Sequence, residues 1–147
     1  MDHDLDRFVQ AQDPVYADVL AELRGGRKTS HWMWFVFPQV AGLGFSPMSR
    51  RYAIRSLDEA RAYLAHPVLG PRLRECAAIV AGINGSTAEQ VFGGIDAVKL
   101  RSSMTLFHRA APDESGFREV LVRFYGGVPD PATDARLAGD SAIDGDA

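Results

Sequence analysis

Both tryptophans and two phenylalanines fall within six consecutive residues, Trp32 to Phe37, inside the run T-S-H-W-M-W-F-V-F-P-Q from Thr29 to Gln39. So much ring surface must be buried or else form an exposed apolar patch of the kind that marks a binding site. Burial is the simpler outcome, and it makes this run the segment around which the rest of the chain is arranged. At 147 residues the chain fits one domain, and a domain of that size buries roughly 70% of its unfolded surface around a single core.

Periodicity decides the class. Apolar residues recur at helical spacing along most of the chain, no stretch alternates with period two, and no repeat length recurs. Asp4 is expected to cap a first short helix carrying Leu5, Phe8 and Val9. Asp13-Pro14 should open a second, with Val15, Tyr16, Val19, Leu20 and Leu23 inward and Gly25-Gly26 as its stop. Thr29 or Ser30 caps His31 to Phe37, which Pro38 ends, and Ser46-Pro47 starts the next helix. Ser56 with Glu59 and Ser86 with Glu89 read as capping boxes. His66-Pro67 opens a longer helix that Gly70-Pro71 is expected to kink. Asp96 caps a helix with Leu100, Met104, Phe107 and Ala111 inward, Ser115 starts another, and Asp130-Pro131 begins a last turn. The reading is all-α: a single irregular domain of about eight to ten mostly short helices over residues 1–137, followed by a flexible acidic tail, 138–147.

Charge excludes more than it assigns. The net charge is −3, and four acids against one base from Asp134 onward leave 15 acids and 15 bases in the rest. A neutral body with scattered arginines has no basic stripe for nucleic acid, and no apolar run approaches the roughly 20 residues of a membrane span. With a charged N-terminus and a lone cysteine, Cys76, the expected location is the cytoplasm and stability must come from packing. His3, His31, His66 and His108 show no ligand spacing, so no metal is expected. Neither G-x-S-x-G, a P-loop nor G-x-G-x-x-G occurs, and no cofactor is implied.

Several segments carry a family resemblance: D-L-D-R-F-V-Q-A-Q (Asp4–Gln12), S-H-W-M-W-F-V-F-P-Q (Ser30–Gln39), G-L-G-F-S-P-M-S-R-R-Y-A-I (Gly42–Ile54), H-P-V-L-G-P-R-L (His66–Leu73) and K-L-R-S-S-M-T-L-F (Lys99–Phe107). Across residues 4–133 the chain resembles an uncharacterised bacterial family, domain of unknown function eighteen-ten. The resemblance implies a mostly helical fold and no established activity, so no catalytic residue can be carried over.

Three segments hold the candidate ligand-binding residues. In A-G-L-G-F-S-P-M-S-R-R, Gly44 permits close approach of a ligand, and Ser46 and Arg50 flank a helix N-terminus suited to an anion. The plainer account is an ordinary loop with Ser46 as cap and solvated arginines. His31, Trp32, Trp34 and Gln39 form a polar tip beside aromatic faces, suited to a planar ring, unless they are a core cluster with His31 at its edge. Lys99, Arg101 and Ser103 line helix faces that either complete a pocket or are simply solvated. If the three segments converge, the protein binds a small anionic or nucleotide-like molecule and is conceivably hydrolytic, with His31, Ser46, Lys99 or His108 as the polar groups. The alternative is a non-catalytic protein–protein interaction module built on the apolar residues from Trp32 to Met48. Monomer and homodimer are both compatible with the sequence.

Overall fold

The computed structural model describes residues 3–146, and the side chains of residues 3–139. Among the described residues the chain forms α1 (Asp6–Gln12), α2 (Tyr16–Arg24), α3 (Met33–Val36), α4 (Pro47–Arg51), α5 (Leu57–Ala65), α6 (Leu69–Ala81), α7 (Ala88–Phe92), α8 (Gly94–Ala110), α9 (Ser115–Tyr125) and α10 (Pro131–Asp146). The fold is all-α, and strand pairing among these residues is confined to one isolated parallel bridge between Val40 and Ile54. α10 runs through most of the segment expected as an acidic tail.

Helix α8 is the axis. Six consecutive residues, Ser102 to Phe107, are buried, so the middle of this helix is enclosed all round rather than amphipathic. It packs against α5, α7, α9 and α10. Rings link the layers: Phe8 meets Tyr63 edge-on at 5.1 Å, Tyr63 lies 5.3 Å from Phe107, and Phe107 lies 5.9 Å from Phe117. The aromatic run joins the same core. Trp32 is 1% exposed and Phe37 fully buried, with Phe37 edge-on to Phe92. Gln12 is the polar rivet here, donating to Phe35 O (2.7 Å) and Tyr63 Oη (3.0 Å).

Several end signals are used differently from the expectation, some because a distant group competes for them and some through a local alternative. Asp13 does not cap α2, whose N-cap is Val15 without a side-chain bond; its carboxylate instead pairs with Arg72 at 2.9 Å. Ser30 does not cap α3, which is one turn starting after Trp32. Asp4 has a φ of +51° and the N-cap of α1 is Leu5. Ser56 caps α5 as expected, but Glu59 reaches past the N-cap to the Arg55 amide (2.8 Å) and to Arg7. The second box is shifted by one residue, to Thr87 and Gln90. His66 caps α6 with its ring, Nδ1 accepting from the Val68 and Leu69 amides. That places Pro71 in the first turn, where a missing amide costs no helical bond, and so α6 continues to Ala81 without a break. Ser46-Pro47 and Asp130-Pro131 behave as read: Ser46 Oγ accepts from Ser49 N, and Asp130 Oδ2 from Thr133 N.

Candidate functional site

The loop between α2 and α3 is fixed by one carboxylate. Glu22 accepts from the amides of Thr29 (2.7 Å) and Ser30 (3.0 Å), from Ser30 Oγ, and from Trp32 Nε1 (3.0 Å). Burial alone would push this carboxyl up, but the combined hydrogen bonds outweigh it and hold Glu22 at about 2. Trp32 is thereby pinned in the core. The loop is also tied to α7 through Lys28 N, which donates to Val91 O at 2.8 Å.

Pinning this loop brings its side chains to the start of α8. There a hollow of about 450 Å³ is lined by Lys28, His31, Met33, Trp34, Phe92, Gly93, Gly94, Ile95, Asp96 and Lys99. Gly93 both ends α7 and precedes α8, at φ +83° and ψ 161°, a region essentially confined to glycine. This sharp turn points the first turn of α8 at the hollow. No side chain caps that end, and the first amides of a helix have no acceptor within it, so the positive pole of a 17-residue helix lies along the lining.

The charges at the hollow are set by Asp96, which is in the first turn and does not cap the helix. Its carboxylate holds Lys28 Nζ at 2.8 Å and stands 3.8 Å from Lys99 Nζ. Lys28 also donates to Ser30 O (2.6 Å) and lies 5.0 Å from the Trp32 ring centroid; its side chain is 7% exposed. Lys99, 19% exposed, sits 4.9 Å from the centroid of Trp34. Each lysine therefore rests over one tryptophan ring in a cation–π contact.

Of the sequence candidates, His31, Trp34 and Lys99 line this hollow together. Gln39, Gly44 and Arg50 line a different and smaller one, about 150 Å³, with Ala41, Gly42, Ser49 and Arg55. The two share no lining residue, so convergence of all three segments on one hollow is corrected to a division between two. Trp32 is core. Ser46 is occupied as the cap of α4, a five-residue helix. Arg101 donates to Val128 O and Pro129 O, each at 3.0 Å, and Thr105 Oγ1 accepts from Asp130 N. That face of α8 is the dock for the chain leading into α10, which neither a pocket nor a solvated face describes. Ser103 is fully buried, its Oγ without a partner among the described residues. His108 lies outside both hollows, and burial, then Arg109 and Arg118, lower it from its ordinary value.

Sequence reasoning missed Lys28 and Asp96. Lys28 reads as one more cation in a basic turn, and Asp96 as a cap. No local signal pairs them, because they meet across 68 positions.

A family model described as a protein of unknown function, DUF1810, matches residues 2–137. The chain belongs to that family. A solved relative of the same fold is the conserved hypothetical protein Rv1873 from Mycobacterium tuberculosis, whose crystal structure shows 56% identity over 92% of this chain and 96% of that chain, with a TM-score of 0.90. None of the curated proteins matches the chain. Membership of DUF1810 carries the fold and no activity. Among the described residues no helix is long and apolar enough to cross a membrane.

Proposed function

We propose that the protein binds a small anionic, ring-bearing molecule in the hollow at the start of α8. The observation that carries this reading is the meeting, around one 450 Å³ space, of Lys99, the Lys28–Asp96 pair, His31 and the Trp34 ring. Lys99 and the positive end of α8 attract the anion. Met33, Trp34, Phe92 and Ile95 offer apolar surface to the remainder of the ligand. Binding is proposed rather than hydrolysis because only two of the polar groups named for hydrolysis, His31 and Lys99, line this hollow, while Ser46 caps α4. The same reading puts the protein in the cytoplasm, in keeping with a single, buried cysteine.

The test is thermal unfolding of the full chain with nucleoside monophosphates and sugar phosphates. A ligand at about 100 times its dissociation constant adds about 2.7 kcal/mol of stability. Lys99→Ala should remove the added stability while leaving the unliganded protein folded. No stabilisation by any member of the series would sink the proposal.

A second reading, a non-catalytic interaction module, rests on Ile95 and Val98, 77% and 63% exposed and one turn apart on α8. Sedimentation of wild type against Ile95→Ser separates it: a concentration-dependent dimer lost in the variant supports self-association, and a monomer throughout removes that form of it.

A further inference from the structure

The charge arrangement narrows the ligand class, on the strength of the anion-binding reading above. Lys28 and Lys99 bring two positive charges to the hollow, and Asp96 places one negative charge between them. The three leave a surplus of one. Lys28 is largely committed already, to Ser30 O and to Asp96 Oδ2. Lys99 is the better placed to meet a ligand, because Asp96 Oδ1 at 3.8 Å lies beyond hydrogen-bond distance and the Trp34 ring takes one side of the ammonium. A first anionic group therefore finds Lys99 and the helix pole. A second or third on the same ligand enters a space whose fixed carboxylate repels it, and whose remaining lining, the exposed His31 ring apart, is the apolar Met33, Trp34, Phe92 and Ile95 with two glycines.

We propose that the hollow selects molecules with a single anionic head on an apolar, ring-bearing body, rejecting polyphosphates of the same ring, and that Asp96 is the specificity-determining residue. Its negative charge both braces Lys28 and sets the upper limit on ligand charge. Glycine flanks the head-group position on the other side: a Cβ built at Gly93 or Gly94 would meet nothing within 4 Å, leaving room for a compact group beside the first amides of α8.

Isothermal titration of the full chain with AMP, ADP and ATP, without divalent cations and at one ionic strength, tests this. The expected wild-type order is AMP tightest and ATP weakest, with a spread of about tenfold, the scale of a unit charge at solvent-exposed distances. Asp96→Asn raises the surplus from one charge to two, and the AMP-to-ATP ratio should fall to near one or invert. A wild type that binds ATP as tightly as AMP overturns the charge limit while leaving anion binding intact. A wild-type preference for AMP that survives unchanged in folded Asp96→Asn overturns the role of Asp96. Binding of none of the three overturns the inference together with the reading beneath it. The wild-type ratio decides the charge limit whether or not the variant folds.

Discussion

The hollow beside the start of α8 and the smaller one beside the glycine loop differ in what their polar groups have left to give. At the glycine loop, the glycines and serines that look like part of an anion site are consumed within the protein, while Arg50 stays exposed. Gly42, at φ +96°, faces the Arg136 guanidinium of α10, and a Cβ there would collide with it, while Arg136 Nε donates to Ala41 O at 3.1 Å. Gly44 makes room for Ser49, and Ser46 and Ser49 bond each other. At α8 the helix end is uncapped and Lys99 stands beyond hydrogen-bond distance of its carboxylate. A glycine-rich, serine- and arginine-flanked loop is thus a packing device here. The proposed ligand site lies where fewer sequence marks announce it.

The strongest way to break this comparison is at the two tryptophans, one in the core and one lining the hollow. Trp32 is core and Trp34 is half-buried lining, so Trp32→Ala should cost about 3–5 kcal/mol in denaturant unfolding, well above the loss in Trp34→Ala. Equal costs would mean the two rings share one environment.

Next comes the carboxylate that pins Trp32. Glu22→Gln should cost about 1–3 kcal/mol, the scale of hydrogen bonds to a charged group. Because Glu22 is held at about 2 in the folded protein against an ordinary 4.5, its contribution to stability is complete above about pH 4.5 and is lost as pH falls toward 2. Acid unfolding of the variant should therefore be shallower across that window. An unchanged acid limb would show that the four donors do not depend on the charge.

The smallest effect is the sharpest. Arg50 is exposed and lines the glycine-loop hollow, so Arg50→Ala should change stability by less than about 0.5 kcal/mol and leave any nucleoside monophosphate binding as in wild type. Loss of that binding would move the anion site to the loop.

Local signals located most helices because a cap or a proline acts within one turn. Ser46-Pro47, Asp130-Pro131 and the αL stop at Gly126 work within a few residues. They failed where a side chain had two possible partners and the distant one won. Ser30 goes to Glu22, Asp13 to Arg72, and Asp96 to Lys28. The shift from Ser86/Glu89 to Thr87/Gln90 is another kind of miss, since adjacent registers of the same pattern were both available. For the candidate site, His31, Trp34 and Lys99 were legible as unusual residues, and their two segments meet at one hollow as the conjectured convergence supposed, while the glycine loop lines another.

Residue order alone settled that this chain is a helical domain, since apolar spacing and end signals are short-range properties that hold in any arrangement of the helices. Whether the aromatic run supplies core or lines a cleft was open in the sequence, and the fold divides it: Trp32 is core and Trp34 is lining. Tertiary structure decided which polar groups remain free to act, because hydrogen-bonding capacity is finite: a serine, arginine or aspartate taken by a partner many residues away has less to offer a ligand. The division of the candidate residues between two hollows follows from that competition.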